Sequence, residues 1–228
     1  IKRIVGPYQD SYSPNGIIGE KDACGVGFIA NIKGVESNWI LKQSLKGLNC
    51  MEHRGGCGGD SDSGDGAGIL CSIPWEYLEE KMNLKNTKES NRGLGMIFMP
   101  NKKEKIEECK SICEEEAKKL RINKTSWRTV PVNNEILGPL AKANAPFISQ
   151  WILFINKKDN DDIEKILFQL RKRIEKKVRE SFKNHVGDCE FYFASLSSKT
   201  VVYKGMVRSE ILSEFYKDLK EESFKVSF

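Results

Sequence analysis

Three segments of the chain carry apolar residues at helical spacing, with charged residues on the opposite side. The first spans residues 38–51 and follows Ser37 or Asn38, either of which can cap a helix. The second spans residues 103–121, and the third begins near residues 159–162, where acidic residues favour a helix start. The three apolar stripes are Ile40, Leu41, Leu45 and Leu48; Ile106, Cys109, Ile112, Cys113, Ala117 and Leu120; and Ile163, Ile166, Leu167, Leu170, Ile174, Val178 and Phe182. This spacing predicts three amphipathic helices.

Short apolar runs separate these helices and are typical of strands. We predict strands at residues 24–32, 68–73, 94–99, 128–132 and 150–155. Residues 189–196 and 200–204 are expected to pair as a hairpin across Ser197-Ser198-Lys199. Helices are expected at residues 75–82 and from about residue 209, and the alternating residues 224–228 predict a last strand. Locally paired strands with helices between them favour an α+β fold, in which helices cover antiparallel sheets.

Composition narrows the class of protein. The 228 residues suffice for one large domain or two small ones, and a hydrophobic content of 39% can fill a core. No apolar run reaches the ~18 residues of a transmembrane helix, and residues 1–23 lack the apolar region of a signal peptide. Because the first residue is Ile, we expect the numbering to begin inside a longer product.

Charge and cysteine usage exclude further classes. The net charge is +5, but the lysines lie among glutamates along the helices, as on solvated faces, which disfavours nucleic-acid binding. Seven cysteines without a secretory context indicate a reducing, cytosolic-type compartment. Cys109 and Cys113 lie on an apolar stripe and are interpreted as small core residues, not metal ligands. The cysteines at positions 50, 57, 71 and 189 also lack ligand spacing, so we expect no iron–sulfur site in this segment.

One cysteine stands in a setting suited to catalysis. Cys24 lies in the sequence DACGVGF, and MEHRGG follows at residues 51–56. A cysteine at the head of a chain carries its own base, because the freed α-amino group has a pKa of roughly 7.7–8.0. That amine can accept the thiol proton and so produce the reactive thiolate. Gly25 and Gly27 would let the backbone approach a substrate without a Cβ clash.

Three blocks in fixed order carry a family resemblance. They are CGVGFIANIKG, LKGLNCMEHRGG and SGDGAGILCSIP, within residues 22–74, and weaker similarity continues through ILGPLAKANAPFISQ and SLSSKTVVYKGM. Together they closely resemble the start of the class II glutamine amidotransferase domain of glutamate synthases, which belongs to the N-terminal-nucleophile hydrolases. The resemblance implies a four-layer αββα sandwich of antiparallel sheets between helices, truncated at the C-terminus.

The resemblance also implies roles for individual residues. Cys24 would attack the side-chain carboxamide of glutamine and release ammonia, and Arg54 would bind substrate and help to position the cysteine. His53 is interpreted as a support, not as the base. Residues 1–23 resemble a propeptide, so we expect the chain to be inactive until it is cleaved before Cys24, with 24–228 as the front part of the amidotransferase domain. The oxyanion-hole and substrate-clamp residues of the family are expected after Phe228.

Cofactors and partners follow from the resemblance alone. The full-length family enzyme carries FMN and an iron–sulfur cluster and transfers the ammonia to 2-oxoglutarate. Its electron donor is ferredoxin or a nicotinamide nucleotide, with a slightly closer resemblance to the ferredoxin-dependent forms. We expect a location in the bacterial cytoplasm or the plastid stroma, and neither nucleic-acid nor membrane partners.

Alternative interpretations are another class II amidotransferase, or a non-catalytic domain of the same fold. The extended blocks MEHRGG and SGDGAGIL favour glutamate synthase over relatives with a shorter HRG element. A calcium loop starting at Asp60 is rejected, because positions five, six and twelve would be Gly64, Asp65 and Cys71. A dinucleotide motif at residues 25–30 is rejected as well, since no strand precedes it and no helix opens on it.

Overall fold

The computed structural model describes residues 25–51, 66–84, 91–155, 162–182 and 191–228. The helices are α1 (Asn38–Cys50), α2 (Trp75–Lys81), α3 (Lys103–Lys119), α4 (Pro139–Ala143), α5 (Ile163–Ser181) and α6 (Leu212–Phe215). The strands are β1 (Ala67–Ser72), β2 (Arg92–Met99), β3 (Lys124–Thr129), β4 (Phe147–Phe154), β5 (Tyr192–Ser197) and β6 (Thr200–Gly205). Single 3₁₀ turns lie at Asn134–Ile136, Ser209–Ile211 and Lys217–Lys220.

The strands form two sheets. One has four strands in the order β3-β4-β2-β5, and the other pairs β1 with β6. Every one of these pairs is antiparallel, as predicted. Strand β2 lies inside the larger sheet, with Arg92 opposite Phe154 and Met99 opposite Phe147.

Two hydrophobic cores lie on opposite faces of the larger sheet. Because side chains alternate along a strand, Met96 enters one core and the adjacent Ile97 enters the other. Helices α3 and α5 cover the second core, whereas β1, β6, α1 and α2 contribute to the first. On the outer face of β1, Leu70 borders a cavity shared with α1. The described part of the chain thus combines helices with two antiparallel sheets, which is consistent with the predicted αββα sandwich.

The three amphipathic helices are confirmed, and side chains cap two of them. The Ser37 hydroxyl accepts a hydrogen bond from the Ile40 amide, and Asp162 caps the start of α5. The buried stripe of α3 contains Cys109 and Cys113, so their interpretation as core residues is also confirmed. None of the described helices has the length and apolar character needed to cross a membrane.

The predicted strand at residues 24–32 is wrong for the part that the structure describes. Residues 25–31 form no regular element, and no described strand pairs with them. Val26 and Phe28 are 87% and 83% exposed, so their alternation does not bury one face. The segment is held near its end, where the Asn31 amide donates to the Ser227 carbonyl over 2.8 Å.

The predicted hairpin is also wrong. Strand β5 pairs with β2 and β6 pairs with β1, so the turn between them carries the chain from one sheet to the other. The Glu164 carboxylate fixes this turn, because it accepts hydrogen bonds from the Ser197 hydroxyl and from the amide and hydroxyl of Ser198. A helix N-terminus thus holds a corner that resembles a hairpin turn in the sequence.

Three smaller differences concern the ends of elements. The strand predicted at residues 128–132 lies four residues earlier, as β3. The helix expected from about residue 209 is a 3₁₀ turn followed by the short α6. In place of a last strand, Val226 makes an isolated bridge with Ser37, because only one pair of backbone hydrogen bonds forms there.

A buried polar cluster joins the two sheets. Arg128 of β3 donates to both carboxylate oxygens of Asp218, each over 2.7 Å, and Asp218 is fully buried. Tyr77 of α2 and Tyr203 of β6 donate to the same carboxylate over 2.8 and 3.1 Å. Gln150 of β4 accepts from Arg128 and donates to Tyr203. Burial, together with the Asp218 charge, raises the pKa of Tyr77 and Tyr203, so both stay neutral donors.

Replacing Asp218 by Asn should destabilise the fold strongly. The Asp218→Asn variant keeps the shape but leaves the Arg128 guanidinium buried without its counter-charge, so we expect a loss of about 3–5 kcal/mol. Urea unfolding followed by tryptophan fluorescence measures this loss. The matched control is Glu222→Gln, which removes an exposed partner of Lys42 and should change stability by less than about 1 kcal/mol. Equal stability of the two variants would contradict the assignment.

A second buried carboxylate links the helices α3 and α5. Glu116 of α3 is 4% exposed, accepts from Arg173 Nε of α5 over 2.8 Å and also pairs with Lys119. Burial alone would raise the pKa of Glu116, but hydrogen bonds and charge from Lys119 and Arg173 outweigh it and lower that pKa. The ionised form is therefore favoured by folding.

The stabilisation by Glu116 should depend on pH. Because the folded-state pKa is lowered, the contribution is complete above the unfolded value near 4.5 and disappears as the pH falls through the folded value. We expect Glu116→Gln to lose about 1.5–3 kcal/mol at pH 7, and the gap to wild type to close on acidification. Urea unfolding at a series of pH values measures this, with the exposed Glu107→Gln on the same helix as control. A gap independent of pH would refute the account.

Candidate active site

The residues expected to carry the chemistry lie next to described ones. Cys24, Arg54 and His53 themselves are outside the described residues. Gly25 directly follows Cys24, and Met51 caps the C-terminus of α1 three residues before Arg54. The structure therefore defines the ends of the two segments that lead into the predicted site.

A cavity of about 560 Å³ opens between α1, β1 and residues 25–29. Leu48 of α1 and its C-cap residue Met51 line this cavity, together with Ile69 and Leu70 of β1 and with Phe228. The volume lies in the range of small-molecule sites. The cavity thus borders both segments that carry the predicted catalytic motifs.

The two motif segments touch each other at this cavity. A Cβ atom placed on Gly25 would lie 3.1 Å from Met51 Sδ and 3.2 Å from Met51 Cβ. Both distances are shorter than the usual 3.5–4.0 Å between packed heavy atoms. The backbone of the residue after Cys24 is therefore packed directly against the side chain at the end of α1.

The described wall of the cavity is apolar. Its one hydroxyl, on Ser44, donates to the Ile40 carbonyl over 2.8 Å and is thereby satisfied. The other side chains that the structure describes in this wall are hydrocarbon or thioether groups, beside glycines. Such a wall excludes water but offers no charge to the α-amino and α-carboxylate groups of an amino acid. Those groups need partners from residues other than the described wall.

The described cysteines differ from an activated nucleophile. Burial raises the pKa of the Cys71 thiol to about 12, and it raises the pKa of Cys113 well above its usual value. Both thiols therefore stay protonated at neutral pH. Cys50 is exposed on α1. Among the described residues, no three side chains of His, Cys, Asp or Glu come together as a metal site.

Two glycines that follow the MEHRGG block, Gly66 and Gly68, have defined roles. Gly66 has a φ of 135°, which L side chains rarely adopt. A Cβ on Gly68 would lie 2.7 Å from Lys204 Cβ and 2.9 Å from the Tyr203 carbonyl oxygen. Glycine at position 68 therefore permits the close pairing of β1 with β6.

The sequence pattern does not single out the residues that line the cavity. Met51 is part of the quoted MEHRGG block, but nothing in the pattern assigns it a contact with Gly25. Leu70 and Phe228 read as ordinary core residues, although Leu70 is 56% exposed and faces the cavity. One sequence signal could have indicated them. The apolar side of α1 continues through Leu48 to Met51, directly before the rest of the MEHRGG block.

Two antiparallel sheets with helices, and a cavity lined by residues 25–29 and Met51, are consistent with the fold of an N-terminal-nucleophile hydrolase. Residues 24–228 match the class-II glutamine amidotransferases, and the chain belongs to that family.

Within this family, the chain is similar to ferredoxin-dependent glutamate synthases. The chain is 43% identical over 226 residues to the chloroplastic ferredoxin-dependent glutamate synthase of Oryza sativa subsp. japonica, covering 97% of this chain and 14% of the relative. It is 42% identical over 216 residues to ferredoxin-dependent glutamate synthase 2 of Synechocystis sp., covering 93% and 13%. Identity to the Pyropia yezoensis ferredoxin-dependent glutamate synthase is 40% over 230 residues, covering 100% and 15%. The chain thus spans about one seventh of these relatives' length.

Alanine at two glycines near the cavity should have opposite effects on stability. Gly68→Ala places a Cβ against the backbone of β6. We expect it to reduce the free energy of unfolding by about 1–3 kcal/mol and so to lower the unfolding midpoint. Gly47→Ala lies within α1 with no atom within 4 Å of the new Cβ, and should gain up to about 1 kcal/mol through helix propensity. Thermal unfolding of both variants tests this, and a neutral Gly68→Ala would contradict the described pairing.

Proposed function

We propose that this chain is the glutaminase part of a ferredoxin-dependent glutamate synthase, with Cys24 as N-terminal nucleophile. The observation that carries this proposal is the contact between Gly25 and Met51, because it joins the segment led by Cys24 to the segment that leads to Arg54. Membership in the class-II glutamine amidotransferases and the names of the relatives support it.

The reaction is an amide cleavage in two steps. The free α-amino group of Cys24 accepts the thiol proton, and the thiolate attacks the carboxamide carbon of glutamine. The proton passes to the leaving nitrogen, the C–N bond breaks, and ammonia departs from a γ-glutamyl thioester. Water then attacks the thioester carbon, which releases glutamate and returns the proton to the thiol.

Residues 1–23 are assigned as a leader that must be removed. While Ala23 is bonded to Cys24, the nitrogen of Cys24 is an amide and cannot accept a proton. Cleavage between these two residues creates the amine that the first step requires. The family match begins at Cys24, which is consistent with this boundary.

Arg54 supplies a cation to a site whose described wall has none. Its guanidinium can pair with the substrate carboxylate in a bidentate manner, or hold the loop around Cys24 in place. The attack on the carboxamide also needs oxyanion donors, which stabilise the charge of the tetrahedral intermediate. Loss of one such donor costs about 2.7–4 kcal/mol of transition-state stabilisation in other systems.

The rest of the proposed enzyme uses the ammonia. It carries FMN and an iron–sulfur cluster, takes electrons from ferredoxin and forms glutamate from 2-oxoglutarate. The described residues offer no cluster of metal ligands, and no step of the amide cleavage passes through these cofactors. The relatives include chloroplastic and cyanobacterial enzymes, which supports a plastid stroma or a bacterial cytoplasm as the location.

Labelling with an electrophilic glutamine analogue tests the nucleophile. In the processed full-length protein, a diazoketone analogue should alkylate Cys24, and Cys24→Ala should abolish both labelling and glutamine hydrolysis. Mass spectrometry of the N-terminal peptide and an ammonia assay measure the two results.

Exposed Cys50 provides the control, because Cys50→Ser should leave labelling and hydrolysis unchanged. Folded protein that starts at Cys24 and resists labelling would favour the non-catalytic alternative. Hydrolysis by protein that still begins at residue 1 would disprove the role of the leader. Cleavage of glutamine without glutamate formation from 2-oxoglutarate would favour another class II amidotransferase.

A further inference from the structure

Met51 lies along the backbone that follows Cys24. Its Sδ and Cβ atoms are 3.1 and 3.2 Å from the position of a Cβ on Gly25, and its Cε atom is 3.6 Å from that of a Cβ on Gly27. The thioether side chain therefore spans both glycines of the motif. Both glycines and Met51 line the apolar cavity.

The helix that carries Met51 is firmly placed. Ile40 and Leu41 of α1 are buried in the first core. The side-chain amide of Asn38 donates to the carbonyls of Glu221 and Phe224 over 3.0 and 2.9 Å. The Met51 amide donates to the Leu48 carbonyl over 3.0 Å, which fixes the residue at the helix end. Met51 thus offers a defined surface to the segment it contacts.

The segment that begins at Gly25 has few other anchors. Val26 and Phe28 are mostly exposed, and Ile29, four residues after Gly25, is the first side chain of the segment that packs against the first core. The nearest described backbone hydrogen bond is at Asn31, six residues beyond Gly25. Met51 is therefore the described contact that lies nearest to Cys24 in this segment.

From these contacts we infer that Met51 is a positioning residue for the amide cleavage. Its side chain sets the distance between the backbone directly after Cys24 and the C-terminal end of α1, and residue 25 is glycine because the thioether occupies the space of a Cβ. The inference rests on the proposed function, because the groups it positions are Cys24 and Arg54. Misplacement of reacting groups by about 1 Å can cost 10²-fold in rate.

A double-mutant cycle that enlarges residue 25 and shortens residue 51 tests this role. In the processed full-length protein, Gly25→Ala should lower kcat for glutamine hydrolysis roughly 10²-fold, because the new Cβ displaces the segment. Met51→Ala should also lower kcat, by roughly tenfold, because the spacer is lost. The double variant should recover at least about tenfold over Gly25→Ala, since the shortened side chain makes room for the added methyl group.

Kinetics and stability together separate positioning from a structural effect. A positioning role changes kcat and the rate of Cys24 alkylation, and leaves the thermal unfolding midpoint of Gly25→Ala within a few degrees of wild type. Lys46→Ala, an exposed change on the same helix, should leave kcat and labelling unchanged. Met51→Leu, which has similar bulk, should restore most of the activity lost in Met51→Ala.

Two failures would be distinguishable. If wild-type protein neither hydrolyses glutamine nor reacts at Cys24, the proposed function fails. If wild type is active but the losses of Gly25→Ala and Met51→Ala simply multiply in the double variant, the role of Met51 is overturned while the function stands. Activity unchanged in Met51→Ala would overturn it too.

Discussion

The ion pair between Arg128 and Asp218 is the interaction on which the relative placement of the two sheets depends. Removing two charges from water costs several kcal/mol for each ion, and only good geometry with further hydrogen bonds offsets that cost. Here the carboxylate accepts two bonds from the guanidinium and one from each of two tyrosines, which uses its four acceptor sites. Because α2, β3, β4 and β6 each contribute one member, a shift of any of them would leave a buried polar group unpaired. The cluster therefore specifies one arrangement of the sheets more than it adds net stability.

The same cluster reaches the candidate site through β6. Tyr203, which donates to Asp218, is followed by Lys204, whose Cβ lies against Gly68 of β1. The Tyr216 hydroxyl donates to the Lys204 carbonyl over 2.7 Å and fixes the strand from the other side. Strand β1 forms one wall of the cavity. The opposite wall, α1, is tied by Asn38 to carbonyls that follow Asp218 in the chain. Both walls of the cavity are thus connected to Asp218, β1 through its partner strand β6 and α1 through the chain that follows Asp218. These connections fix the distance between the two walls.

Local patterns predicted the elements, whereas long-range partners were not accessible from the sequence. The stripes of α1, α3 and α5 were predicted because their spacing is a property of each segment alone. Arg128 and Asp218 are 90 residues apart, and single charged residues are expected at the surface, so their joint burial had no sequence signal. The hairpin prediction failed because a partner outside the turn, Glu164, holds Ser198 at a corner between two sheets. The motifs around Cys24 and Arg54 indicated the site, but the apolar wall between them depends on contacts that only the fold creates.

The candidate site has two parts. One is the wall formed by α1 and β1, and the other is the pair of segments that contain the predicted reactive residues. Helix α1 and strand β1 supply the apolar surface, and the predicted nucleophile and arginine lie one and three residues beyond the atoms in contact, Gly25 and Met51. Loops positioned by a rigid scaffold commonly carry catalytic groups. An apolar wall would suit the proposed N-terminal amine, because desolvation disfavours the charged ammonium form. A flexible thioether fits this boundary better than a branched side chain, since it can follow the backbone across two glycines. The described contacts at Gly25 are thus made by the hydrocarbon and sulfur atoms of Met51, and the polar groups of the proposed chemistry belong to the neighbouring residues.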